Sequence, residues 1–119
     1  MERTEQRSSV LIAAQSEKIA VQIRGILPAG FGHVTFQPSI ARVKQTLTEE
    51  RTDLLIIYTP LSDDSGIQSI LDLAAKYPAM SVLLIVSKEA YQQVLYRAGD
   101  SGISVLARPI STGSFLSAI

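Results

Sequence analysis

The apolar residues of this chain fall into short continuous runs, separated by stretches in which they recur at helical spacing. Residues 10–14 (VLIAA) make the first run. An apolar run without polar alternation is what a strand buried on both faces requires. Ser16 then offers an N-cap, and Ile19, Ile23, Ile26 and Leu27 follow at helical spacing up to Pro28 and Gly30. Residues 33–37 (HVTFQ) alternate and predict a second strand, closed by Pro38. Ser39 caps a second helix with Ile40, Val43 and Leu47 on one face. Residues 53–58 (DLLIIY) are the most strand-like run, and a turn-rich loop, 59–65 (TPLSDDS), follows them. A third helix carries Ile67, Ile70, Leu71 and Ala74 inward and stops before Pro78. Residues 81–86 (SVLLIV) predict the fourth strand. Ser87 caps a helix over 88–98 with Ala90, Val94 and Ala98 inward, ending at Gly99. Residues 103–107 predict the fifth strand, ended by Pro109, and Ser111 opens a last helix with Phe115 and Ile119 inward.

Five strands alternating with five helices predict a parallel sheet covered on both faces. In such doubly wound sheets the functional residues sit at the carboxyl ends of the strands. The positions of interest are therefore Ala14, Gln15 and Ser16, then Gln37 and Pro38, then Tyr58, Thr59 and Pro60, then Ser87 and Lys88, and finally Arg108 and Pro109. The 119 residues suit one domain over 9–119, with 1–8 expected as a frayed, disordered tail. From Ser111 the chain has room for about two and a half helical turns, a marginal length. This is either a short terminal helix docked on the sheet or the cut end of a longer protein whose next domain begins beyond Ile119.

Composition narrows the chemistry. There are no cysteines, which excludes disulfides, thiolate metal sites and a cysteine nucleophile. The single histidine, His33, leaves little for a His-rich metal site or a Ser-His-Asp triad and is expected at the surface. Eleven Lys and Arg balance eleven Asp and Glu, so no basic excess drives nucleic-acid binding by this segment. The start, MERTEQRSS, is polar, and the longest apolar runs, 54–58 and 82–86, fall far short of the about 20 residues a membrane span needs. A cytoplasmic protein is expected. Gly25, Gly30 and Gly32 do not form a dinucleotide-binding fingerprint after the first strand.

The strand ends VLIAAQS, DLLIIYTPLSDDSG and VLLIVSK, with the closing segment AGDSGISVLARPI, resemble those of a response-regulator receiver domain. The resemblance covers nearly the whole chain from about Val10 and implies a flavodoxin-like fold with strand order 2-1-3-4-5. A phosphorylatable receiver has an acidic pair after the first strand for Mg²⁺ and a phosphate-accepting Asp ending the third. A hydroxyl ends the fourth, and a Lys followed by a usually cis Pro ends the fifth. Mg²⁺ needs hard oxygen anions, and the cation and hydroxyl hold the acyl phosphate. Here the acidic pair falls on Ala14 and Gln15 and the acceptor on Tyr58. The hydroxyl is kept as Ser87, the Lys position holds Arg108, and Pro109 follows. The switch aromatic three residues earlier is Val105.

The resemblance therefore implies a pseudo-receiver: no enzyme, no cofactor, no Mg²⁺, no phosphoryl group at position 58. A neutral phenol is a poor substitute for a carboxylate acceptor. Arg108 is expected to reach solvent, a backbone carbonyl or the Tyr58 ring, and the Arg108–Pro109 bond is expected to be cis. Tyr58 either fills a dead pocket or holds the domain in one conformer. Ser87 is expected as an N-cap without chemistry. Asp53 is expected to be structural, and Asp63 and Asp64 to be loop carboxylates at a helix start.

A narrower resemblance, carried by IIYTPLSDDSG, VLLIVSKEAY and the Arg-Pro-Ile ending, is to the receiver-like half of clostridial ANTAR-type antiterminators. It implies that RNA is contacted only through a C-terminal domain that these residues do not include. A homodimer through the fourth helix, fifth strand and last helix is expected, with Tyr91, Leu95, Tyr96 and Val105 as candidate interface residues. The alternatives are a phosphorylatable receiver using Asp63 or Asp64, the receiver of a DNA-binding response regulator, and a small-molecule sensor or enzyme of flavodoxin-like fold.

Overall fold

The computed structural model describes residues 8–28, 31–61 and 67–119. Five strands and five helices alternate: β1 (Ser8–Ala13), α1 (Glu17–Arg24), β2 (Phe31–Gln37), α2 (Ile40–Glu49), β3 (Leu54–Tyr58), α3 (Ile67–Lys76), β4 (Ser81–Val86), α4 (Tyr91–Ala98), β5 (Ser104–Ala107) and α5 (Thr112–Ala118). All pairings are parallel, in the order β2-β1-β3-β4-β5, as expected. Ser8 pairs with Phe31, so it belongs to the sheet and not to the expected tail; residues 1–7 lie outside the described residues.

The continuous runs became central strands because they can be apolar on both faces. Leu11, Ala13, Leu55, Ile57, Val82, Leu84 and Val86 face one half of the core, against α2, α3 and α4. Val10, Ile12, Leu54, Ile56, Leu83 and Ile85 face the other, against α1 and α5. Each fully buried Leu or Ile is worth about 1.5–3 kcal/mol, so the sheet is the main source of stability. Phe115 of α5 is fully buried and anchors that helix on the second half.

The helices start where serines cap them. Ser16, Ser39 and Ser111 each accept a hydrogen bond from the backbone N–H three residues on. Two helix boundaries and one buried face differ from expectation. α1 ends at Arg24, because beyond Gly25 the bonds tighten: Ile26 N–H donates to Ile23 O and Leu27 N–H to Arg24 O. α3 buries Ile70 and Leu73 most deeply, leaving Leu71 and Ala74 half-buried beside the core. α4 begins at Tyr91, because residues 88–90 form a turn, and Gly99 ends it at a positive φ that favours glycine. Among the described residues no helix is long and apolar enough to cross a membrane.

Candidate functional site

The carboxyl ends of β1, β3, β4 and β5 bring Ala14, Tyr58, Ser87 and Arg108 to one rim of the sheet. Ala14 is 0% exposed, its N–H donating to Gln37 O, while Gln15 next to it is solvent-exposed. Tyr58 is half-buried and packs toward α1 and α5.

Arg108 organises the rim. Its backbone N–H donates to Val86 O at 2.8 Å, which carries the β4–β5 pairing one step past the strand. Its side chain crosses back over the end of β4, where Nη1 donates to Thr59 O at 2.7 Å and, more weakly, to Ile85 O at 3.4 Å. The guanidinium carbon lies 4.9 Å from the centroid of the Tyr58 ring, within cation–π range. Two of the expected partners, a carbonyl and the ring, are thus engaged together. Thr59 is fixed in turn: both its N–H and its hydroxyl donate to Ile85 O. The Arg108–Pro109 and Thr59–Pro60 bonds are both cis. Among the described residues Arg108 has no carboxylate within ion-pair distance.

Ser87 Oγ accepts from Ala90 N–H at 3.2 Å, so it caps the turn that leads into α4 and not the helix itself. Asp63 and Asp64 lie outside the described residues. Asp53 stands at the opposite end of the sheet, with Oδ2 accepting from Ser9 N–H at 2.8 Å. Ala14, Gln15 and Tyr58 offer a methyl, a neutral amide and a phenol, so these three positions do not fit a Mg²⁺ ion, which wants oxygen anions. Among the described residues no three His, Cys, Asp or Glu side chains cluster as metal ligands.

What sequence reasoning missed at the rim is the apolar set behind Arg108. A cleft of about 420 Å³ opens there, walled by Ile67 and Ile70 of α3, Val94 of α4, and Leu84 and Val86 of β4. Thr59, singled out by its place after a strand and before a proline, supplies a carbonyl to Arg108. The cleft could not be foreseen, because three separate elements build it.

The fourth helix and last helix flank β5, which is an edge strand. Tyr96 is 86% and Leu95 41% exposed, as an interface requires, and Leu116 of α5, which the sequence reading passed over, is 44% exposed. One candidate interface residue, Val105, belongs to the core. Val105 is only 8% exposed because it faces the core under α4, and Tyr91 is half-buried against the same core.

The same architecture recurs in solved structures. The chain superposes on the signal receiver domain of an HD domain-containing protein from Pseudomonas fluorescens Pf-5 with a TM-score of 0.82 and 20% identity, covering 99% of this chain and 88% of that one. The fold is that of a receiver domain. A receiver domain protein from Clostridium thermocellum matches with a TM-score of 0.78 and 16% identity over 93% of this chain and 90% of that one. The RcsB response regulator of Salmonella typhimurium matches with a TM-score of 0.83 and 17% identity over 94% of this chain. The chain spans only 59% of the RcsB chain. No family model and no curated protein matches the sequence. On the receiver fold, the rim built by Ala14, Tyr58, Ser87 and Arg108 is the end where such sheets place function.

Proposed function

We propose that this chain is a receiver-like regulatory module that takes no phosphoryl group, binds no Mg²⁺ and catalyses no reaction. It acts in the cytoplasm by dimerising or by binding a partner through α4, β5 and α5. One observation carries this reading. Where a phosphate-accepting receiver keeps its acids, positions 14, 15 and 58 hold a methyl, an amide and a phenol, and Arg108 is engaged by that phenol ring and two carbonyls. The exposed Leu95, Tyr96 and Leu116 beside the open edge of β5 support the partner surface. The effector proposed, on the narrower resemblance, is an RNA-binding antitermination domain of the ANTAR type. A DNA-binding effector is the second reading, favoured by the likeness to RcsB, a protein described as dimers bound to DNA.

The test is incubation with acetyl phosphate and Mg²⁺ followed by intact-mass analysis, together with an NMR titration of Mg²⁺ and beryllofluoride. The expected result is no added phosphoryl mass and no saturable shift. A stoichiometric phosphoaspartate at Asp63 or Asp64 would overturn the proposal and establish a phosphorylatable receiver instead.

A further inference from the structure

Arg108 stands between two environments. On the α1 and α5 side its guanidinium meets the Tyr58 ring; on the α3 and α4 side it lines the 420 Å³ cleft. A cleft of this size falls within the range of small-molecule sites, about 300–1,000 Å³, and such sites pair apolar walls with a few fixed polar groups. This one has walls of Ile, Leu and Val, and two polar groups at its mouth that the fold uses only in part. Ser87 Oγ accepts a hydrogen bond from Ala90 N–H but donates none among the described residues. Arg108 uses Nη1 on carbonyls, while Nε and Nη2 have no acceptor among the described residues.

The electrostatics then select the occupant. A half-buried guanidinium held by neutral carbonyls and a ring face has no counter-ion among the described residues. Burying a cation without an anion is costly, so an anion placed there gains more than it would in water. Among the described residues Arg108 is the only charged one lining the cleft, and the charge that matches it is a single negative one. The free Nε–Nη2 edge is the geometry that binds a carboxylate through two parallel hydrogen bonds. Behind it lie Ile70, Val86 and Val94, side chains that want apolar contact.

We infer that the cleft between α3 and α4 binds a free small monocarboxylate with an apolar tail, its carboxylate on Arg108 and Ser87 and its tail against Ile70, Val86 and Val94. The inference rests on the reading above that no phosphoryl group occupies this rim, and it names what takes its place. Such a ligand would bridge β5 to α4, the elements beside the proposed partner surface, and so give the module a chemical input.

The test is an amide NMR titration of the full chain with octanoate, octylammonium and acetate. Octanoate is expected to give saturable shifts centred on Ser87, Ala90 and Val94. Octylammonium is expected to give none there, and acetate only weak ones. From butyrate to octanoate each added methylene should tighten binding about fourfold until the cleft is full. Arg108→Gln should weaken octanoate at least about tenfold, the loss of a charge-assisted pair. Ala90→Leu, which fills the cleft and leaves the charge, should weaken octanoate but not acetate. If Arg108→Gln fails to fold, the octanoate–octylammonium contrast on the parent protein decides. Equal binding of the two, or octanoate shifts scattered away from the cleft, overturns the inference. So do cleft shifts that follow protein concentration instead of octanoate, which would assign the cleft to a second copy. Phosphoaspartate in the acetyl phosphate experiment would sink the functional reading while leaving the octanoate result standing; silent octanoate with no phosphoaspartate sinks this inference alone.

Discussion

The two ends of the sheet solve opposite problems with charge. At the amino ends of the strands, Asp53 is paired twice: Oδ2 accepts from Ser9 N–H, and Oδ1 lies 3.3 Å from Arg51 Nε. Its own backbone accepts from Ser81 N–H and donates to Ser9 O, so one residue ties β1, β3 and β4 together. The cleft at that end, about 320 Å³, is lined by Glu49, Glu50, Arg51 and Asp53, a mixture of both signs. At the carboxyl ends a single cation, Arg108, lines a larger and more apolar cleft, with carbonyls and a ring as its only partners among the described residues. A charge whose partners are supplied by its own fold is holding structure. A charge left to neutral partners beside a cleft is available for something that arrives.

The largest effect comes from forcing the carboxyl rim to resemble a phosphate-accepting one. Ala14 is fully buried, so Ala14→Asp forces a carboxylate out of water at a position that holds a methyl group. An uncompensated buried charge costs about 3–5 kcal/mol, and chemical denaturation should show a loss of that order that millimolar Mg²⁺ does not restore. Recovery of stability by Mg²⁺ would mean the rim still holds a metal-binding constellation, and the contrast between the two ends would collapse. Next in size is Asp53→Ala at the amino rim. It removes a charge-assisted hydrogen bond to a backbone N–H, worth about 1.5–3 kcal/mol. The Arg51 pair adds little, because Arg51 is largely solvated. A change below about 0.5 kcal/mol in the same denaturation experiment would show that Asp53 is not a structural tie.

Most of this architecture was legible from the chain. The bounds of β4, and the capping serines 16, 39 and 111, follow from apolar runs and side-chain chemistry, both of which are local. What was not legible is what depends on tertiary placement. Ile26 and Leu27 keep helical spacing, yet the backbone tightens after Gly25, so spacing alone overextends α1. Leu73 outranks Leu71 because the burial of α3 depends on how that helix is seated on the sheet. Val105 has the composition of a surface patch or of a core residue equally well, and only the direction of its side chain in β5 decides for the core. At the site, the absence of acids at positions 14, 15 and 58 is visible in the letters, but the partners of Arg108 are not. They are the backbone carbonyls of Thr59 and Ile85, and a carbonyl has no signature in sequence.

The smallest effect is the one that separates the two roles open to Tyr58, a filler of the rim or a side chain whose polar end matters. Its hydroxyl makes no hydrogen bond among the described residues, while its ring receives Arg108. Tyr58→Phe keeps the ring and removes only the hydroxyl, so stability should change by less than about 0.5 kcal/mol, as for substitutions that break no specific feature. Tyr58→Leu keeps apolar bulk and removes the π face, and it should cost a further 0.5–1 kcal/mol or about that, the worth of a cation–π contact near the surface. The order matters more than the sizes. If Phe is tolerated and Leu is not, the rim uses the tyrosine as a platform for a cation and the phenol oxygen is incidental. If Phe costs as much as Leu, the hydroxyl itself is engaged, and the carboxyl rim is held together by more than the guanidinium, the two carbonyls and the ring.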